Sequence, residues 1–389
     1  MQTKNLSKLT CKLICQAFTI MRKFNSFIRI LFLLTVAISI PALLCAQVYS
    51  EKREQGKSFK LKSSTLIQIT NKYGNVNVLP WEKDSVRIDV SISAQSKQAS
   101  KVVKILSTID CEMIATANTI SARTVFYDNS ATFWKDVVSY AGQVINTSNN
   151  LQINYTIYMP VTNDIKIENK FGNVYMDSHS GNADIVVSNG DLQARNFTGG
   201  LKLKIEFGSA SFQDAGEAQL IINYSDLTAR KINKLSLNSR SSTIDMEETG
   251  TIELVSSRDK LVVKACNSLS GEASFSRIRI NELEAMSIMN TKYGELRLNT
   301  IARDFRNINI KSEYTDVFLG FNPADSYSID LTYDAKTNLN ISAPINNQLK
   351  KETLNAKLGT VQASGSIGKS GTSHVSVTAK SGSLSVLNK

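Results

Sequence analysis

Asn169-Lys170-Phe171-Gly172-Asn173-Val174 and its near copy Asn71-Lys72-Tyr73-Gly74-Asn75-Val76 are the stretches whose reading decides the fold. From Ile165 apolar side chains alternate through Ile167 to Phe171, a Gly-Asn pair intervenes, and alternation resumes on the other parity at Val174 and Met176. A strand shows successive side chains to opposite faces, and Gly and Asn tolerate the positive φ of a tight bend. The stretch therefore reads as strand, bend, strand.

Working outward, the bend recurs at Asn189-Gly190, Phe207-Gly208, Tyr224-Ser225, Arg240-Ser241, Arg258-Asp259, Phe275-Ser276 and Tyr293-Gly294, at intervals of 16 to 18 residues. Tyr314-Thr315 follows 21 residues later, and the register loosens through Tyr333-Asp334, Leu358-Gly359 and Ser381-Gly382. Such even spacing marks a repeat array whose copies must stack to bury their apolar faces. Before the bend stand Phe171, Phe207, Tyr224, Phe275, Tyr293, Tyr314 and Tyr333, predicted to lie over one another in a single apolar column. A stacked antiparallel sheet is the alternative, with bends alternating between two ends. The aromatic ladder and a count of only five prolines favour an all-β parallel β-helix or β-solenoid with coils of about 18 residues. Gly74, Gly172, Gly190, Gly208 and Gly294 are its structural bends.

The chain opens differently. Arg22, Lys23 and Arg29, then an apolar run from Ile30 to Leu44, then Cys45-Ala46, follow the order of a secretory signal. Residues 1–46 are read as the signal peptide and 1–20 as an upstream extension, with Met21 as the alternative start. A retained anchor is the competing reading, against which the 15-residue run falls short of the about 20 residues a span needs. A lipid-modified Cys45 is opposed by bulky Leu44 before it. No later apolar run approaches membrane length, so the expectation is an exported chain without a transmembrane span. Periplasm, outer membrane surface and extracellular space all remain open.

Removing that leader changes the charge. The full chain is +11, but residues 1–46 hold six of its 45 basic side chains and no acid, leaving 39 against 34, or +5. No nucleic-acid partner is expected from so dilute a charge. Cys11, Cys15 and Cys45 leave with the leader, and Cys111 and Cys266 are read as buried single thiols, with a disulfide as the alternative.

Residues 47–160 read as N-terminal capping strands with one or two short helices. Ala99, Val102, Val103, Leu106 and Ile109 fall at helical spacing. A second stripe, with Phe133, Trp134 and Val137 at its start, marks an inserted helix within 127–150. It either docks a partner or membrane surface or packs on its own scaffold. Residues 161–389 are the repeat domain, expected to be monomeric.

These features resemble a known family. The twice-used Asn-Lys-aromatic-Gly-Asn-Val, the Leu79-Pro80-Trp81-Glu82-Lys83 turn and Tyr158-Met159-Pro160 before the second copy are similar to exported bacterial β-strand-repeat proteins. That domain-of-unknown-function family is labelled "putative adhesin" or "putative auto-transporter adhesin head" and is frequent in the Bacteroidetes group. The resemblance covers about residues 60–389. It implies a β-solenoid on an envelope protein and carries no catalytic residues across. The chain departs from the plainest members in the 127–150 insertion and at the Arg240 and Arg258 repeats, where the aromatic ladder lapses.

Signals for chemistry are thin. Of two histidines, His179 lies in a polar loop and His374 in a Gly/Ser-rich segment, neither with ligand-spaced neighbours, so no metal and no cofactor are expected. No Gly-x-Ser-x-Gly elbow supports a Ser-His-Asp hydrolase. Asp191, Asp226 and Asp316 share one place after the bend, where Asp caps backbone amides locally. Arg240, Arg258, Arg277, Arg279 and Arg297 read either as a basic strip for acidic polysaccharide or as solvated outward positions. The expectation is a non-enzymatic envelope or surface scaffold, or binding module, for an unidentified protein or polysaccharide partner. The alternatives are a polysaccharide-active β-helix enzyme and a periplasmic envelope-stress or regulatory partner protein.

Overall fold

The structure, a computed structural model, describes residues 48–62, 64–127, 151–357, 359–369 and 372–388. The expected signal peptide, the Phe133, Trp134 and Val137 helix, and Leu358 of the late Leu358-Gly359 bend lie outside them. The chain forms two units, Met1–Glu51 with Gln95–Lys104, and Lys52–Ala94 with Ile105–Lys389. The first holds most of helix α1 (Ala99–Thr108), whose Val102 is fully buried and Val103 exposed, as its helical spacing requires.

Among its described residues the second unit is all-β apart from the end of α1 and one short helix, in a long and mostly parallel sheet. β1 (Tyr49–Lys60) pairs with β4 (Ser85–Ser96), and between them β2 (Leu66–Lys72) and β3 (Val76–Pro80) carry the first motif copy. β5 (Ile109–Ala115) runs antiparallel to β6 (Thr119–Phe126), and β7 (Leu151–Met159) antiparallel to β4. The second copy lies on β8 (Ile165–Lys170) and β9 (Val174–Met176). β8 pairs in parallel with β2, and β9 with β3, placing Asn169 opposite Asn71 and Val174 opposite Val76. Two copies 98 residues apart in sequence are thus adjacent rungs.

Through β10 (Ala183–Ser188), β11 (Leu192–Gln193), β12 (Asn196–Glu206), β13 (Ser209–Asn223), β14 (Asp226–Arg240), β15 (Thr243–Ser257), β16 (Lys260–Ser274), β17 (Arg277–Ile301) and β18 (Asn307–Phe321), each repeat pairs in parallel with the next. The register sets like residues over one another. Ile69, Ile167, Ile185, Leu203, Leu220, Leu237 and Leu254 form one buried column, which continues past Gly271 through Met289 and Ile310. Truncating one of its leucines to Ala costs about 2–5 kcal/mol in a core that cannot collapse. Within β13 the buried positions Ala210, Phe212, Ala215, Ala218, Leu220 and Ile222 step by three twice, and Gln213 and Gly216 drop out of the pairing. The same two steps of three recur in β14, β15 and β16.

After β18 the chain leaves the simple order. It makes β19 (Tyr327–Tyr333), β20 (Thr337–Ile341), α2 (Ala343–Asn346), β21 (Lys350–Asn355) and β22 (Thr360–Ile367) before β23 (Ser373–Asn388). β23 returns to lie between β18 on one side and β19 with β20 on the other. Of the loosened late bends, Ser381-Gly382 joins the stack, with Gly382 opposite Thr315. Helix α2, started by Pro344 and anchored by buried Ile345, is too short for any periodic signal.

Candidate functional site

The repeated bend builds the feature that stands out on the surface. Positive φ falls not on the bend glycines but one residue earlier, at Tyr73, Phe171, Asn189, Phe207, Tyr224, Ser241, Arg258, Phe275, Tyr293 and Tyr314. Gly74, Gly172, Gly190, Gly208 and Gly294 follow five of these residues, where crowding calls for glycine. A Cβ on Gly208 would stand 1.9 Å from the Gly190 carbonyl oxygen, and one on Gly190 2.1 Å from that of Gly172. These glycines permit close approach between rungs. The Arg240-Ser241 bend also shifts by one residue, since Ser241 rather than Arg240 holds the positive φ.

The motif can now be read residue by residue. Asn169 is buried and its amide donates to the carbonyls of Gly74 at 3.0 Å and Gly172 at 2.8 Å, while Asn71 does the same for Gly74 and Ile153. The residue after the glycine forms an outer ladder, in which the Asn173 amide donates to Asn75, that of Asp191 to Asn173, and that of Ser209 to Asp191, at 2.8 to 2.9 Å. Each bend residue is itself tied to the next rung, as where the Phe171 amide donates to the Ser188 carbonyl at 2.9 Å.

Positive φ turns the aromatic ring out. Strict alternation from Ile165 and Ile167 places Phe171 inside, yet it is 44% exposed and Phe207 is 59% exposed. The rings stack on one another instead of filling the core. Tyr73 lies on Phe171 at 5.3 Å, Phe207 on Tyr224 at 5.2 Å, Phe275 on Tyr293 at 4.9 Å and Tyr293 on Tyr314 at 5.1 Å, all within 11° of parallel. The expected shared column is therefore present as three separate stacks outside the apolar core, and Tyr333, on β19 opposite Ala379, is in none of them. Each such pair contributes about 0.5–1.5 kcal/mol, and each non-glycine residue held at positive φ costs about 1–3 kcal/mol. Stability alone does not favour this arrangement, so an exposed aromatic edge held against strain is the candidate site.

Cations attend the rings. Lys72 sits 4.8 Å from the Tyr73 ring and 6.0 Å from that of Phe171, and burial lowers its pKa. Arg240 lies 5.9 Å over Tyr224, and Arg258 5.9 Å over Phe275, covering the ends of the column where it lapses. Arg279 and Arg297 belong elsewhere, paired with Glu295 at 3.7 and 3.0 Å, with Arg297 also over Phe318. The five arginines do not make one strip.

The acids do not gather either. Asp191 accepts from the amide and hydroxyl of Ser209, Asp316 accepts from the Ser383 hydroxyl, and Asp226 stands between Ser209 and Thr243 in register. Among the described residues no group of three or more His, Cys, Asp or Glu is placed to hold a metal. His179 is buried, with its pKa lowered chiefly by that burial. His374 Nδ1 lies 2.9 Å from Ser328 Oγ, and its Nε2 3.9 Å from Asp330. This trio lies on strands paired on both sides, so the amides around Ser328 are committed to the ladder and not free for an oxyanion. Cys111 and Cys266 are free and buried, and burial pushes the Cys266 thiol up to about 12. A shallow hollow of about 490 Å³ lies over β8, β10, β12 and β13, lined by mixed charges including Lys166, Asp184, Lys202 and Glu217.

The site first singled out, Phe133, Trp134 and Val137, lies outside the described residues. The outward aromatic edge had a sequence signal that simple alternation concealed: the residue between strand and glycine must hold the bend's φ, which reverses its face.

Comparison with known proteins finds no matching family model and no matching curated protein. Similar solved structures include the following three. A "putative cell adhesion protein" from Clostridium sporogenes is 9% identical, over 87% of this chain and 100% of its own, with a TM-score of 0.19. A "putative adhesin" from Bacteroides fragilis is 12% identical, over 69% and 98%, at 0.30. A "putative lipid binding protein" from Parabacteroides distasonis is 8% identical, over 69% and 93%, at 0.27. Two of the three bear the description that the sequence resemblance carries. Scores this low support no inference about this chain, and the functional reading rests on its own residues. No helix among the described residues is long and apolar enough to cross a membrane.

Proposed function

We propose that the second unit is a β-solenoid with coils of about 18 residues, and that the chain is an exported, non-enzymatic binding module whose aromatic edge takes a polysaccharide. The observation that carries this is the in-register exposed column, Phe207 on Tyr224 and Phe275 on Tyr293 on Tyr314. Aromatic faces attract the C–H surfaces of sugar rings, the exposed ring edges add apolar contact area, and a repeat stack offers both at a spacing suited to a long chain. The parallel register from β8 to β18 supports the coil reading, and the basic, apolar and small-residue order of residues 22–46 supports export.

Affinity electrophoresis of the full chain through soluble β-glucan, xylan and polygalacturonate, with the gels assayed for cleavage products, tests the function. Retardation without product is the expected result. Product formation abolished by an acid-to-amide substitution would replace the proposal with a polysaccharide-active enzyme, and migration unaffected by all three would overturn it.

A further inference from the structure

The aromatic column has a missing rung. Asn189 occupies the bend position between Phe171 and Phe207, tied into the stack by the Phe171 amide on the Ser188 carbonyl and its own amide on the Glu206 carbonyl, both 2.9 Å. Its φ of 56° matches the 59° of Phe171 and 57° of Phe207, so its Cβ leaves the backbone as theirs do. The side chain is exposed and ends at an amide, so no bend ring stands between Phe171 and Phe207 at this rung. We infer that this vacancy is a saccharide slot, in which one pyranose ring enters edge-first between Phe171 and Phe207. The inference rests on reading the column as a polysaccharide-binding edge.

The spacing fits. Neighbouring rings stack at 4.9 to 5.3 Å, and two strand spacings put Phe171 and Phe207 about 9.6 Å apart. A ring at the Asn189 level would lie about 5 Å from each, within the range of ordinary ring contacts. Each wall already uses one face, Phe171 on Tyr73 and Phe207 on Tyr224, and turns the other to the vacancy. The wider lapse at Ser241 and Arg258 differs, because Arg240 and Arg258 lie over the rings that border it.

The rim selects the class of occupant. One residue before the bend, Lys170 and Glu206 stand on either side of Ser188 in register, a cation and a carboxylate flanking the Asn189 rung, with Glu206 also taking Lys204 at 3.1 Å and the Asn223 amide at 3.4 Å. Donors and acceptors around a ring-shaped gap suit the hydroxyls that radiate from a sugar. An aromatic side chain from a protein would cover the same groups without satisfying them, which is costly.

The test uses the full chain on the same three polysaccharides, with Asn189→Tyr to fill the slot, Phe207→Leu to remove one wall and Tyr293→Leu to disturb a distant rung. Tyr224 already adopts the required φ, at 50°, so Asn189→Tyr is expected to fold, with an unfolding midpoint at or above that of the unaltered chain. It and Phe207→Leu are each expected to weaken binding about tenfold, while Tyr293→Leu has a smaller effect. Full binding by folded Asn189→Tyr, with Tyr293→Leu weakened, would overturn the slot and leave the column reading standing. Should Asn189→Tyr not fold, full binding by Phe207→Leu would overturn the slot equally. Absence of binding by the unaltered chain would overturn both.

Discussion

The backbone amide of Ser242 donates to the Asp259 carboxylate at 2.8 Å across one rung of the stack. Asp259 stands where other repeats have Gly or Ser, is almost wholly buried, and also accepts from the hydroxyls of Ser239 and Ser256 and the amide of Ser257 at 2.6 to 2.9 Å. Ser225 and Ser276 hold the equivalent place on other rungs, with the Gly208 amide donating to Ser225 Oγ and the Asp259 amide to Ser276 Oγ. The four donors converging on Asp259 would be orphaned by its removal. Asp259→Ala is expected to cost about 3–5 kcal/mol, measured as a fall in the urea midpoint with unchanged slope. A loss within 0.5 kcal/mol would show that water or relaxation replaces the carboxylate.

The two roles within the bend separate by mutation. Gly208→Ala forces a Cβ against the Gly190 carbonyl and is expected to cost more than about 2 kcal/mol. Phe207→Gly gives up one ring stack but relieves positive φ, so a change under about 1 kcal/mol is expected. Equal sensitivity at both positions would refute the division of labour.

His179 is expected to give the fold a pH dependence. Burial lowers its pKa in the folded chain, against hydrogen bonding to Asn163 and Asn182 and the nearby charge of Asp164, which raise it. The unfolded value is near 6.5, so the contribution is complete above that pH. It is lost as pH falls from there toward the lower folded value, because the unfolded chain takes up the proton first. The unaltered chain is expected to lose more thermal stability between pH 7.5 and 5.5 than His179→Gln does. Parallel losses would remove His179 as the cause.

The buried thiols are expected to be inert. With Cys266 pushed up to about 12 and Cys111 raised by burial, iodoacetamide at pH 8 is expected to leave both unmodified in the native fold and to label both in denaturant. Rapid native labelling of either would contradict the burial.

Much of the fold was legible because one steric event, the bend, returns at nearly constant intervals and leaves its aromatic, Gly or Ser signature each time. Alternation misplaced Phe171, since it assumes extended φ throughout and the bend residue is the one that departs from it. It credited Gly172 with the φ that Phe171 holds, because crowding between rungs and freedom of φ both call for glycine. The adjacency of Tyr73 and Phe171, and the return of β23 between β18 and β19, are long-range pairings with no local period to announce them. The candidate edge was visible as a ladder, but its outward face was not.

The most direct test of the aromatic edge is the polysaccharide affinity of a chain with Phe207, Tyr224, Phe275 and Tyr293 all changed to Ser, compared with the unaltered chain. All four side chains are exposed, so the fold should survive, as a cooperative thermal transition would show. Loss of binding in that folded variant is the expected result. Undiminished binding would contradict the claim that the column is the binding surface.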